Sequence, residues 1–187
     1  MVLLTVLTLA LVGGRAVTNR DVYVDLLTQP EEISKIQKKV MTKSKIDFEK
    51  LKTIEKDFLD NALNRLMTQV MIVEESKVVG TIKVRTDSID KRLEVVKSLW
   101  GVDNWNLINR YFDLAEDEVR ARVEKNILVE QIIENRIRLS GVGEDSSIKK
   151  AELAQAAIEE WLTQLKSRYP VQYFKTSSLS QPKAEGR

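Results

Sequence analysis

Hydrophobic positions along this chain follow two different periods. Residues 7–12 form a short, almost unbroken apolar run, and Ala16 and Val17 follow after Gly13-Gly14. Two short apolar runs separated by Gly-Gly predict a β-hairpin. Thr18 then has N-cap chemistry, and Asp21, three residues on, supplies the carboxylate of a capping box. A helix is therefore expected over 19–27, with Val22, Leu26 and Leu27 on one side. Two short arms make a marginal sheet without a third strand or a helix to lie on. The other strand candidate is at the far end, residues 171–175. It is expected to return and pair with the first arm, burying Tyr173 and Phe174 and closing all the intervening helices into one unit.

Between these strands the period is helical. Thr28-Gln29-Pro30 interrupts the first helix, because proline disfavours a helical residue before it. Residues 31–41 read as a Lys-rich helix and 42–45 as a polar linker. The longest periodic run is 47–79, where Phe58, Leu59, Ala62, Leu63, Leu66, Met67, Val70 and Val73 recur at spacings of three and four as the stripe of one long helix. Gly80 is placed as its C-cap. After an extended connection at 82–84, Thr86-Asp87-Ser88 is expected to cap a helix carrying Ile89, Leu93, Val96 and Trp100, which Gly101 stops. Asp103-Asn104 is expected to cap a short helix with Trp105, Leu107, Ile108, Tyr111 and Phe112. Asp113, with Glu116, is expected to cap a second long helix whose stripe runs Val119, Val123, Ile127, Leu128, Ile132, Ile133, Ile137. Residues 141–147 read as a loop. The last helix is expected over 148–168, through Leu153, Ala157, Trp161, Leu162 and Leu165, ended by Pro170. The fold class is thus mostly α: a multi-helix core with a small antiparallel sheet made by the N-terminal hairpin and a C-terminal strand. One unit is expected over 1–175, with an N-terminal section at 1–141 and a C-terminal helix and strand at 148–175. Residues 176–187, polar and rich in Ser and Lys, read as a disordered tail.

Composition narrows the chemistry. In 187 residues there are 30 basic and 28 acidic side chains, a balance that speaks against a nucleic-acid module. Cys and His are both absent, which removes thiol nucleophiles, disulfides, zinc sites of the usual ligand types and imidazole acid–base catalysis. The acidic pairs Glu31-Glu32, Glu74-Glu75 and Glu159-Glu160, and the run 116–118, are adjacent on helices and point in different directions, so they read as solvated surface. No phosphate-binding glycine loop is present. No cofactor, metal or catalytic constellation is expected. Residues 1–12 resemble the apolar region of a signal peptide, but they lack a basic start and a clear cleavage site, so the run from Val6 is read as strand.

Four stretches taken together resemble SurA-type periplasmic chaperones. These are 10–22 (strand, tight turn, second arm, capped helix), 62–71 continuing to 80–90, then 105–137, and 161–174. They come in the family's order. Related chaperones of the SurA and PrsA kind carry parvulin prolyl isomerase modules between the long charged helix and the C-terminal helix. Only 141–147 stands there in this chain, so isomerase activity is not carried over. The resemblance implies an ATP-independent chaperone of the periplasm that holds unfolded outer-membrane proteins.

The apolar helix faces offer side chains for such a task. Leu63, Met67, Met71, Trp105, Tyr111 and Phe112 are the candidate client-binding residues, expected to line a groove between two long helical arms. Unfolded polypeptides are the expected partners, and nucleic acid is not. The lysines at 35, 38, 39, 43 and 45 leave weak contact with a membrane surface open, and homodimerisation is open as well. The alternative class is a helical adaptor or assembly subunit that docks one defined protein.

Overall fold

Gly13 and Gly14 have backbone φ angles of +54° and +83°. Positive φ at both central residues is the requirement of a type I′ turn, whose twist suits a two-residue hairpin. In the computed structural model, which describes residues 6–80, 82–139 and 148–174, this turn joins β1 (Thr8–Val12) to β2 (Arg15–Thr18). Val12 pairs with Arg15, Leu11 with Ala16 and Ala10 with Val17, and the register shifts between Thr8 and Ala10. The sequence 171–174 closes the sheet as expected. Its strand, Val171–Tyr173, runs antiparallel along the other side of β1, with Ala10 opposite Tyr173 and Val12 opposite Val171. Gly13 N–H donates to the Pro170 carbonyl at 3.2 Å and Phe174 N–H to that of Leu9 at 3.0 Å, extending the ladder at both ends. A Cβ on Gly13 would come within 3.2 Å of the Tyr169 ring. The aromatic pair behaves differently from expectation. Tyr173 is 62% exposed and Phe174 40%, at the edge strand of the sheet.

Thr18 caps α1 (Asn19–Thr28) with a full capping box: its hydroxyl accepts from Asp21 N–H at 3.1 Å, and the Asp21 carboxylate accepts from Thr18 N–H at 3.0 Å. Asn19 ties the hairpin to this helix, its Oδ1 accepting from Leu7 N–H at 2.9 Å. Pro30 sits at the start of α2 (Pro30–Val40), where its missing N–H costs nothing. Ile33, Ile36 and Val40 form the buried stripe of α2.

Residues 42–45, expected as a linker, instead belong to a second hairpin, β3 (Met41–Thr42) and β4 (Lys45–Ile46). Lys43 and Ser44 take φ of +48° and +63° without being glycine. Asn104 holds them there from another helix, donating to the Ser44 carbonyl at 3.1 Å and accepting from Ile46 N–H at 3.0 Å.

The run expected as one helix over 47–79 is two, α3 (Phe48–Lys52) and α4 (Lys56–Val79). Asp47 caps α3 through the N–H groups of Glu49 and Lys50, and the chain turns at Thr53 before α4 begins. α5 (Thr86–Trp100) starts with Arg85 in the capping position and no side-chain cap, since Asp87 is taken by the Arg85 guanidinium. Gly101, at φ +73°, both ends α5 and opens α6 (Val102–Phe112). Asn104 does not cap α6, because it is buried and committed to the β3–β4 turn. Nor does Asp113 cap the next helix: in left-handed conformation (φ 50°, ψ 54°) it is the C-cap of α6. The second long helix, α7 (Glu116–Leu139), begins after it and carries Glu116, Asp117 and Glu118 in its first turn, where its dipole favours negative charge. α8 (Ile148–Arg168) has the expected bounds and buries Trp161 and Leu165 as expected, although Leu153 is exposed and Ala154 turns inward beside it. The expected loop at 141–147 and tail at 176–187 lie outside the described residues.

The protein is mostly α with a small antiparallel sheet in the order β2-β1-β5, β5 being Val171–Tyr173. One buried cluster extends from Leu9 to Leu165. α4 lies at its centre, packed on α1, α7, α8 and the sheet. Trp100 Nε1–H donates to the Leu27 carbonyl at 2.9 Å and so locks α5 onto α1. Arg20 spans α1 to the α6–α7 corner, donating to the carbonyls of Phe112 and Asp113 and to both oxygens of Glu118.

Candidate functional site

α4 and α7 pack directly on each other, so the expected groove between two long arms is filled. Three surface clefts border the short helix α6 instead. Its buried side is Asn104, Trp105, Ile108 and Phe112, and Val102, Asn106, Asn109 and Tyr111 help to line the three depressions.

The first, about 390 Å³, lies between α5, α6 and α7. Leu93, Trp105, Leu114 and Val119 make its apolar part, and Val102 stands at its edge, 75% exposed. Lys97 Nζ and Glu116 Oε1 face each other at 3.6 Å on its border, a pair joining α5 to α7. Asn109 also lines it, and Asn109 Oδ1 is buried with no hydrogen-bond partner among the described residues.

The second and third clefts, about 570 and 480 Å³, share Tyr111 as a wall. On one side are Val6, Arg20 and Phe112; on the other are Ile46, Phe48 and Lys52. Tyr111 stacks on Phe48 with ring centroids 3.9 Å apart and planes 4° from parallel, and meets Phe112 edge-on at 5.0 Å. Tyr23 lies beneath, 6.0 Å from Phe112. Burial pushes the Tyr23 phenol above its ordinary pKa, and the neighbouring Tyr111 adds to that. At the rim, the Glu118 hydrogen bond raises Arg20 above its ordinary value against the opposing effect of burial.

Comparison of the chain with family models, curated proteins and solved structures found no match.

Of the residues expected to bind client, Trp105, Tyr111 and Phe112 come together on α6 and line these clefts. Leu63, Met67 and Met71 do not join them. Met67 and Met71 are buried on α4, and Leu63 is half-buried against the same core. Trp105 and Phe112 are themselves almost wholly buried, so what the clefts offer of them is a small part of each ring. Phe48, Val102 and Asn109 join the site without any sign in the sequence. The Phe48–Tyr111 stack depends on α3 folding back onto α6, which no local pattern announces. Among the described residues no three His, Cys, Asp or Glu side chains are grouped to hold a metal ion, and no helix is long and apolar enough to cross a membrane. The Lys-rich α2 has some of its charge paired, Lys35 with Glu32 at 3.3 Å and Lys39 with Glu55 at 2.5 Å.

Proposed function

We propose that this protein binds unfolded, extended polypeptide segments as an ATP-independent chaperone of the cell envelope, with no isomerase activity of its own. The carrying observation is the ring of three shallow, partly apolar clefts around α6, two of them divided by the Phe48–Tyr111 stack. Several small apolar depressions suit successive side chains of an extended chain better than one deep pocket would, and they impose little sequence specificity. The resemblance of the four sequence stretches to SurA-type chaperones points the same way and supplies the periplasmic location and the outer-membrane clients.

The test is suppression of aggregation of a urea-diluted outer-membrane protein at stoichiometric ratios. Folded protein that gives no suppression overturns the reading. Val102→Asp, at an exposed position, is expected to weaken suppression while leaving the fold intact. A proline-peptide isomerisation assay is expected to stay at background.

A second reading has its own observation. Val95 and Leu99, one helical turn apart on α5 and 47% and 38% exposed, make an apolar stripe, and Val102, just past the end of α5, is 75% exposed. That stripe suits an adaptor docking one defined partner. Pull-down and sedimentation separate the two readings: one partner at fixed stoichiometry marks the adaptor, and many weak clients mark the chaperone.

A further inference from the structure

Where β2, α1, α4 and α7 meet, the protein gathers charges that polypeptide binding does not use. Glu74, half of an acidic pair expected at the solvated surface, is held between two cations: Arg15 Nε and Lys77 Nζ both lie 2.9 Å from its Oε1. Asp21 Oδ1 accepts from Arg122 Nη2 at 2.5 Å while its other oxygen serves the Thr18 cap. Lys125 lies three residues beyond Arg122, on the same face of α7. It is half-buried and makes no hydrogen bond or ion pair within the described residues. Arg122, Arg15 and Lys77 lie near enough to repel its charge, and Asp21 opposes them.

The cluster thus holds four cations, Arg15, Lys77, Arg122 and Lys125, and two carboxylates, Asp21 and Glu74, both of them already engaged. A half-buried ammonium without an acceptor is costly. Burial first, and then the three surrounding cations, push Lys125 below its ordinary pKa. What is missing is an anion with several acceptor oxygens.

We propose that Lys125, Arg122, Arg15 and Lys77 bind a phosphate group, either as free phosphate or as the headgroup of an anionic lipid. A tetrahedral oxyanion offsets the positive excess, with one charge as a lipid phosphodiester and up to two as free phosphate, and accepts from guanidinium and ammonium donors together. Its four cations line none of the α6 clefts, although Asp21 borders one of them.

The experiment compares thermal melts in inorganic phosphate and in chloride at equal ionic strength and neutral pH. At phosphate several-fold above its Kd the wild-type midpoint is expected to rise by about 2–4 °C over chloride. Lys125→Met is expected to lose that rise, and Arg15→Gln, at a half-exposed strand position, to shrink it. Lys83→Met, a control outside the cluster, keeps it. A general salting effect would move every variant alike. An equal rise in Lys125→Met and wild type, or no wild-type rise over chloride, overturns the proposal. Co-sedimentation with phosphatidylglycerol against phosphatidylcholine vesicles then identifies the source. Selective binding lost in Lys125→Met assigns the lipid headgroup; a phosphate shift without vesicle binding assigns the free anion.

Discussion

Asp25 on α1 has no exposed side-chain surface, and its Oδ2 accepts two hydrogen bonds from Arg65 on α4, at 2.9 Å from Nε and 2.5 Å from Nη2. Gln29 Nε2 stands 3.4 Å from the other oxygen. The two residues are 40 apart in sequence, so the pair fixes how α1 lies on the central helix. Breaking such a pair from the cation side leaves a carboxylate buried and uncompensated, at a cost of about 3–5 kcal/mol. Arg65→Met is therefore expected to lower the urea midpoint strongly. Replacing both partners at once, Asp25→Leu with Arg65→Met, is expected to recover most of that loss, because no charge is then left without a partner. A double variant no more stable than Arg65→Met alone would show that the pair is not what sets the cost.

Acid sensitivity should concentrate at Asp21. Burial by itself raises this carboxyl, but the Thr18 hydrogen bonds and Arg122 together outweigh it and hold the pKa below the ordinary value of 3.8. A depressed carboxyl pKa means that the unfolded chain takes up the proton first as pH falls. The stabilisation is thus fully present above the ordinary carboxylate value and is lost as pH drops through the folded one. Comparing wild type with Asp21→Asn, the stability gap is expected to be constant above about pH 5 and to close below about pH 4. Urea midpoints at a series of pH values measure it. A gap unchanged down to about pH 3 would mean that Asp21 titrates as it does in the unfolded chain.

Most features of this fold legible from sequence have a local cause; the exception is the pairing of β1 with Val171–Tyr173, read from the need of a two-arm sheet for a third strand. Gly13-Gly14 announces its turn, Thr18 and Asp21 announce α1 within one helical turn, and Pro170 bounds α8 wherever the rest of the chain goes. The misreadings share the opposite property. Asp113 has chemistry that fits either an N-cap or a left-handed C-cap, and its place relative to α6 and α7 decides between them. Asn104 looks like a cap, yet its work is on a turn at Ser44, 60 residues earlier. The helix break at 53–55 contains neither Gly nor Pro. For the candidate site, the aromatic end of α6 is visible in the sequence as Trp105, Tyr111 and Phe112. The hollows beside them are not, since they exist only where α3, α5 and α7 arrive. Met67 and Met71 stand out for their adaptable side chains, but the apolar stripe that makes them noticeable is also what buries them.

The closing strand should matter through its backbone. Deleting everything after Arg168 removes the pairing of β1 with Val171–Tyr173, the Gly13–Pro170 and Phe174–Leu9 bonds, and the Tyr169 ring against Gly13. Each backbone hydrogen bond is worth about 1 kcal/mol net, so a loss of several kcal/mol is expected, together with aggregation along the freed edge of β1. Tyr173→Thr, by contrast, alters a side chain that is 62% exposed and is expected to be nearly neutral. Thermal melts of the two variants, with light scattering for the truncation, check both. A large loss from Tyr173→Thr would show that the ring contributes more than its exposure implies.

The β3–β4 turn offers a stabilising substitution. Lys43 and Ser44 occupy left-handed backbone at φ +48° and +63°, which costs an ordinary L-residue roughly 1–2 kcal/mol. Asn-Gly is the pair best suited to a turn with positive φ at both central positions. Lys43→Asn with Ser44→Gly keeps the Ser44 carbonyl that Asn104 Nδ2 contacts at 3.1 Å, so the anchor from α6 is retained while the backbone strain falls. The double substitution is expected to raise stability by about 1 kcal/mol, or roughly 2–4 °C in a chain of this size. Asn104→Ala should act in the opposite direction, leaving Ile46 N–H without its 3.0 Å acceptor at a cost of about 1–3 kcal/mol. The two changes also interact. With the turn already favoured by Asn-Gly, removing Asn104 should cost less than it does in the wild-type background, and a double-mutant cycle on thermal or urea midpoints measures the difference. Strict additivity would mean that Asn104 bonds to a turn that forms without its help.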